Sequence, residues 1–301
     1  MLGELWTGLL ACLYSNLRPM FKWALRWATG KCELLRLSYQ HSPGALRTKS
    51  IEYSLKHSKN GQLNRLVKEA DTNIDAAVVI VMKTKYIYPE VHSRFESIFR
   101  QSLVQINGYI KLQQTVEELR LVKYSSENAD HEKKLMKLWG LLEEEKLTSR
   151  VSSQWKTLGF QGDDPMTDFR GMGILGLEQL IYFSSHYPKE AKSILSRSHH
   201  PTTGCSFAIV GINMTELVYT LLKKGHLRTH FYNGTQSPPS LQDYHEVYCY
   251  AFSEFDAFWL SEKPKDVMEF GPVREKYRKK LTAKLKENNM VLTAKFQDTS
   301  S

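Results

Sequence analysis

The chain has 301 residues and a formal net charge of +9; 42% of its residues are hydrophobic and 11% aromatic. That length and apolar content give a globular protein of one large or two small domains with a filled core, and the charge favours an acidic partner without choosing among anionic membrane, nucleic acid and acidic protein. Cys12, Cys32, Cys205 and Cys249 lie far apart with no CxxC pair, which argues against a zinc site or a disulfide framework and points to a reducing, cytosolic setting.

The apolar opening from Leu5 to Tyr14 is too short to span a bilayer. With Glu4 in place of a basic flank and Arg18 in place of a cleavage site, it does not read as a signal peptide. Arg18, Lys22 and Arg26 then recur at i, i+4 and i+8, with Phe21, Trp23, Leu25 and Trp27 beside them. Such a helix suits a headgroup layer, with Arg18, Lys22, Trp23, Arg26 and Trp27 as the membrane-contacting set; the alternative is that its aromatics dock on the domain behind. Residues 1–40 thus form an amphipathic extension. HSPGALRTKS at 41–50 reads as a polar connector, 45–290 as the body and 291–301 as a flexible tail.

Helical spacing dominates the body. AAVVIVM at 76–82 could be a lone strand, but Ile74, Val78, Val81 and Met82 share one helical face and no pairing partner is visible, so a helix is expected. Phe95, Ile98, Phe99, Leu103, Ile106, Tyr109, Ile110 and Val116 form a core stripe, and Leu135, Leu138, Trp139 and Leu142 form another. Ser240 with Asp243 predicts a capped helix start, with Val247, Tyr248, Ala251, Phe252, Phe255, Phe258 and Trp259 facing inward and Pro264 ending the run. A last helix near 265–288 carries Arg274, Arg278, Lys279, Lys280, Lys284 and Lys286 as a solvated face, with no nucleic-acid motif beside it. The expected fold is all-α, a compact multi-helix body behind an N-terminal amphipathic helical extension.

Few residues suggest chemistry of the chain's own. His226 and His230 stand at i, i+4 without the glutamate a zinc hydrolase uses, and read as surface histidines. No GxxxxGK[ST] loop is present, so binding and hydrolysis of nucleotide by the chain alone is not expected. Gly171, Gly173 and Gly176 have GxGxxG spacing, but neither the preceding strand nor the later acidic residue of a dinucleotide site accompanies them. No cofactor or metal is expected.

What remains is Arg170, the cation at the end of GDDPMTDFR and just before an apolar helix. Two roles are open: presentation outward to a partner, or a brace within a turn crowded by Asp163, Asp164 and Asp168. In either role Asp164 and Asp168 are expected to orient it through charge-assisted hydrogen bonds. Phe169, Met172 and Ile174 are candidate partner anchors, with core packing the expected role for at least two of them.

The run from Trp155 to Phe183 carries a resemblance. Trp155, Gly159, Phe160, Gln161, Asp164, Pro165, Thr167, Asp168, Phe169, Arg170, Gly171, Gly173, Leu175, Gly176, Leu177, Leu180, Tyr182 and Phe183 resemble, in order and spacing, the signature of the ELMO (engulfment and cell motility) domain-containing proteins. The similarity continues through GKCEL at 30–34, HEKKLMKLW at 131–139, ILSRSHHP at 194–201 and FAIVGINMTELVYTLLKKG at 207–225, with a signature core of 131–290. It is closest to short members made of an ELMO domain and an N-terminal extension. The resemblance implies a GTPase-activating protein for Arf-like and Arf small GTPases in their GTP-bound state. Arg170 then matches the arginine the activity requires, while GTP and magnesium belong to the partner GTPase. It also implies a cytoplasmic protein, peripheral on intracellular membranes such as the endoplasmic reticulum, Golgi, mitochondria or lipid droplets. The alternative within the family is a non-catalytic scaffold; larger ELMO proteins of that kind depart from the signature at the arginine that this chain retains as Arg170.

Overall fold

Short polar side chains begin many of the helices by accepting the backbone N–H groups that a first turn leaves unpaired. In the computed structural model, which describes residues 17, 19–234 and 237–294, Asn73 accepts from Ala76, Asn128 accepts from Asp130 and His131, and Ser240 forms a reciprocal capping box with Asp243. The helices are α1 (19–29), α2 (Glu33–Gln40), α3 (Ala45–Lys56), α4 (Gly61–Arg65), α5 (Ile74–Lys85), α6 (Phe95–Leu121) and α7 (Ala129–Leu142). They continue with α8 (Gly173–His186), α9 (Pro188–Ser198), α10 (Phe207–Lys223), α11 (Arg228–Gly234), α12 (Leu241–Glu262) and α13 (Phe270–Lys284). Short 3-10 turns cover Ser153–Leu158, Pro165–Arg170 and Val267–Glu269, and the described residues contain no strand. The all-α expectation holds, including α5, whose Val78 and Val81 are buried.

The chain divides into two compact units, Met1–Asn107 and Gly108–Ser301, passing from one to the other inside α6. Residues 41–50 are not a linker, because α3 starts at Ala45 and buries Ala45, Arg47 and Thr48. Arg47 donates through Nη2 to Gln101 Oε1 at 2.7 Å, a partner 54 positions away, so two polar side chains sit where a solvated connector was expected.

In the first unit α2 packs on α3 and α3 on α4, with Leu34, Leu35, Ile51, Leu55 and Leu63 buried. Each such side chain contributes about 1.5–3 kcal/mol when fully removed from water. α1 behaves differently: Leu17, Met20, Phe21, Trp23, Leu25 and Trp27 are all exposed. No helix among the described residues is long and apolar enough to cross a membrane.

The second unit is built around α8, which is apolar on nearly every face and packs against α7, α9, α10 and α12. α12 buries all seven residues expected to face inward. α13 turns Val273, Tyr277 and Leu281 inward, and the Tyr277 hydroxyl donates to the Ala251 carbonyl at 3.1 Å. Leu292, within the stretch expected to be a tail, is buried and its N–H donates to His230 Nδ1 at 3.0 Å, while 295–301 lie outside the described residues. His230 is therefore a buried histidine, not a surface one, and His226 is half-buried.

Candidate functional site

The turn Pro165–Arg170 is short, polar in sequence and nevertheless held on several sides. Asp164 caps it, accepting from the Met166 N–H at 2.9 Å, and Pro165 presets the first backbone angle. Phe169, 1% exposed, plugs the turn into the second unit. Its ring lies 5.7 Å from Phe160 edge-on and 5.5 Å from Tyr124; Phe160 in turn meets Trp155 at 5.8 Å, and Trp155 meets Trp139 at 5.2 Å. Edge-to-face aromatic pairs of this kind add about 0.5–1.5 kcal/mol beyond their buried area.

Two glycines permit the close approaches that seat this assembly. Gly173 has φ +54, and a Cβ there would fall 2.4 Å from the carbonyl oxygens of Arg120 and Val122; the next residue, Ile174, donates its N–H to Val122 O at 2.8 Å. Gly159 has φ +85 and would set a Cβ 2.7 Å from the Phe207 nitrogen. The GxGxxG spacing is thus a packing device: Gly173 lets α8 begin against the end of α6, and Gly176 faces Phe169.

The three aspartates do not converge on Arg170. Asp163 pairs with Lys156 at 2.8 Å, Asp164 pairs with Arg150 Nη2 at 3.0 Å, and Asp168 Oδ2 accepts the Gln161 N–H at 3.0 Å. The orienting role expected of Asp164 and Asp168 is therefore replaced by a structural one. Burial pushes the Asp168 carboxyl up, against the Gln161 N–H and the Arg170 charge, so Arg170 reaches Asp168 only through its field. Among the described residues no hydrogen bond or ion pair engages the Arg170 side chain, which is exposed at the end of the turn.

Arg150, which the sequence reading did not single out, takes the bracing role instead. Its Nε donates to Glu132 Oε2 at 2.5 Å, and Glu132 Oε1 accepts from the Tyr124 hydroxyl at 2.5 Å. Asp164, Arg150, Glu132 and Tyr124 form one chain of charge-assisted bonds linking the cap of the turn to α7. Burial and Glu132 push the Tyr124 hydroxyl above its ordinary range. No local signal marks this set, because Arg150 stands 14 positions from Asp164 and 18 from Glu132.

Of the candidate anchors, Phe169, Met172 and Ile174 are 1%, 8% and 3% exposed, so all three belong to the core and none is a partner contact. The outward surface at this turn is instead Met166, Thr167, Arg170 and Gly171. Of the expected membrane set, Lys22, Trp23, Arg26 and Trp27 lie on α1 in the first unit, and Arg18 falls outside the described residues. Among the described residues no cluster of His, Cys, Asp or Glu is arranged for a metal ion, and Cys32, Cys205 and Cys249 are free thiols.

Comparison with known proteins gives this geometry a family. The sequence profile of the ELMO/CED-12 family matches residues 114–274, all within the second unit and spanning the turn and its braces. ELMO domain-containing protein 2 of Mus musculus is 49% identical over 279 residues, covering 92% of this chain and 95% of that protein. ELMO domain-containing protein 1 of Mus musculus is 42% identical over 306 residues, with 95% and 94% covered. ELMO domain-containing protein B of Dictyostelium discoideum is 36% identical over 272 residues, with 87% and 93% covered. No solved structure matches the chain significantly. A fully described signature turn, a profile match over that unit and relatives similar along almost their whole lengths place the chain in the ELMO/CED-12 family.

Proposed function

We propose that this chain is a GTPase-activating protein for an Arf-like or Arf small GTPase, acting in trans through Arg170 and catalysing no reaction of its own. The observation that carries the reading is the state of Arg170: an exposed guanidinium without a bonded partner among the described residues, at the end of a turn whose neighbouring acids are engaged elsewhere. A planar, permanently charged fork can meet charge that develops between the β- and γ-phosphates of GTP, and a supplied arginine accelerates hydrolysis by roughly 10³–10⁵. Its nearest competitor, a side chain clamped to hold the turn, has the geometry of Arg150. The nucleotide and its magnesium stay with the partner, which is met in the GTP-bound state.

The same reading puts the protein in the cytoplasm, peripheral on an intracellular membrane that α1 contacts with its exposed apolar residues. Single-turnover GTP hydrolysis by purified Arf-like and Arf proteins, with and without the full chain, is the direct test. Acceleration of at least one of them is expected; binding without acceleration across the panel would replace the activator with a scaffold.

A further inference from the structure

α1 is oriented against the usual rule for a helix beside a protein core. Leu17, Met20, Phe21, Leu25 and Trp27 occupy its outer side, while Lys22, Trp23 and Arg26 line a cavity of about 670 Å³ in the first unit. That size suits a small-molecule ligand. The cavity walls come from α1 to α5 and the loop that follows α3, and they bring Lys59 and Lys85 to the same space.

The charge there is one-sided. Four cations, Lys22, Arg26, Lys59 and Lys85, face one carboxylate, Glu33, which leaves a formal +3. Glu33 already accepts from Lys22 Nζ at 2.7 Å and from the Ser54 hydroxyl. No carboxylate among the described residues pairs with Arg26, Lys59 or Lys85. Burial, with Lys22 and then Arg26 nearby, pushes the Lys85 ammonium down from its ordinary value, and Glu33 and Cys32 offset this only in part. Crowded cations of this kind are relieved by a multivalent anion. The hydroxyls of Tyr53, Ser58 and Thr84 on the same walls suit a polyol.

From this geometry we infer that the α1 cavity binds the phosphorylated headgroup of an inositol lipid, with the outer apolar side of α1 entering the bilayer beside it. The headgroup supplies the anion and the hydroxyl-bearing ring; the acyl chains run on the side where Met20, Phe21 and Trp27 are exposed. The inference rests on the reading that α1 contacts a membrane, and adds which lipid is selected and where.

Flotation of the full chain separates the two. Vesicles of phosphatidylcholine alone, of phosphatidylcholine with phosphatidylserine, and of phosphatidylcholine with phosphatidylinositol bisphosphate at charge matched to the phosphatidylserine are compared. Inositol-lipid vesicles are expected to bind on the order of tenfold more tightly than the charge-matched ones. Lys59→Gln with Lys85→Gln should lose that increment while retaining the wild-type melting temperature and the residual binding to phosphatidylserine. Arg26→Gln, on an exposed part of α1, should lose part of it and covers the case in which the double variant fails to fold. Equal binding to the two anionic vesicles, or a folded variant that keeps the increment, overturns the headgroup site and leaves membrane contact standing. Flotation with none of the vesicles overturns the membrane reading and, with it, the lipid; titration with soluble inositol trisphosphate then shows whether the cavity takes a free inositol phosphate instead.

Discussion

Two basic helices of this molecule face opposite ways. α13 turns its apolar residues inward and neutralises much of its charge locally: Arg274 reaches Glu216 at 3.0 Å, Lys276 reaches Glu262 at 2.5 Å, Arg278 grips Glu275, and Lys280 lies 4.8 Å from the Phe258 ring. α1 holds Lys22 and Arg26 on the cavity side and leaves its apolar residues outside. Both carry a net positive charge. Which side faces the protein decides that the first reads as a structural element and the second as a surface waiting for something. The same contrast separates two arginines of the second unit. Arg150 is bonded into a network, and Arg170, twenty positions later, has no bonded partner among the described residues.

The sharpest way to break this contrast is at Arg170. Arg170→Ala and Arg170→Lys should each cost on the order of 4–7 kcal/mol in the barrier to GTP hydrolysis by the partner, since an ammonium does not reproduce the planar fork. Melting temperature and affinity for the GTP-bound partner should stay near wild type. An active lysine variant in single-turnover assays would remove the proposed role.

Charge can also be kept out, and this sets the pH response. Burial pushes His230 and His245 down to about 4. Their folded values lie below the unfolded one, so the stability they contribute is complete above an unfolded pKa of about 6.5 and is lost as pH falls from there toward about 4. Each accounts for up to roughly 3 kcal/mol over that window. Urea unfolding midpoints measured from pH 7 to pH 4 should fall accordingly, and His245→Phe should flatten part of the slope; an unchanged slope would contradict the assignment.

Next in size is the braced arginine. Arg150→Ala leaves Glu132 and Asp164 without their cation and should lower unfolding free energy by roughly 2 kcal/mol, less than a fully buried pair would because Arg150 remains a quarter exposed. Calorimetric melting of this variant beside Arg170→Ala checks the contrast directly, since the two should move in opposite assays. Smallest is Arg278→Ala, which removes one exposed ion pair on α13 and should change stability by no more than about 0.5 kcal/mol. A larger loss would mean that the local pairing of α13 is a structural requirement.

Features set by neighbours a few residues apart were legible in the sequence. The Ser240–Asp243 capping box, the α5 face and the inward row of α12 all follow from spacing. Features set by distant partners were not. Arg47 reads as solvated until Gln101 of α6 is brought to it, and His230 reads as a surface residue until Leu292 lies on it. At the candidate site Arg170 itself was legible as the cation of its turn. The identities of its neighbours' partners were not, because Asp164 had the choice of a near arginine and a far one, and only the folded chain shows that it takes Arg150.

The tryptophans make the molecule its own optical reporter. Of the six, Trp6 lies outside the described residues; Trp139, Trp155 and Trp259 are 5%, 0% and 2% exposed, while Trp23 and Trp27 are 69% and 81% exposed. An indole in water emits to the red of one in a dry interior, so the two sets colour different edges of one spectrum. Trp155 stands two rings from the turn that bears Arg170, and its blue emission reports whether that turn is seated. Trp27 stands on the outer side of α1, and its red emission should shift blue and resist aqueous quenchers when lipid covers it. Occupancy of one region and integrity of the other can thus be followed together, in one unlabelled sample.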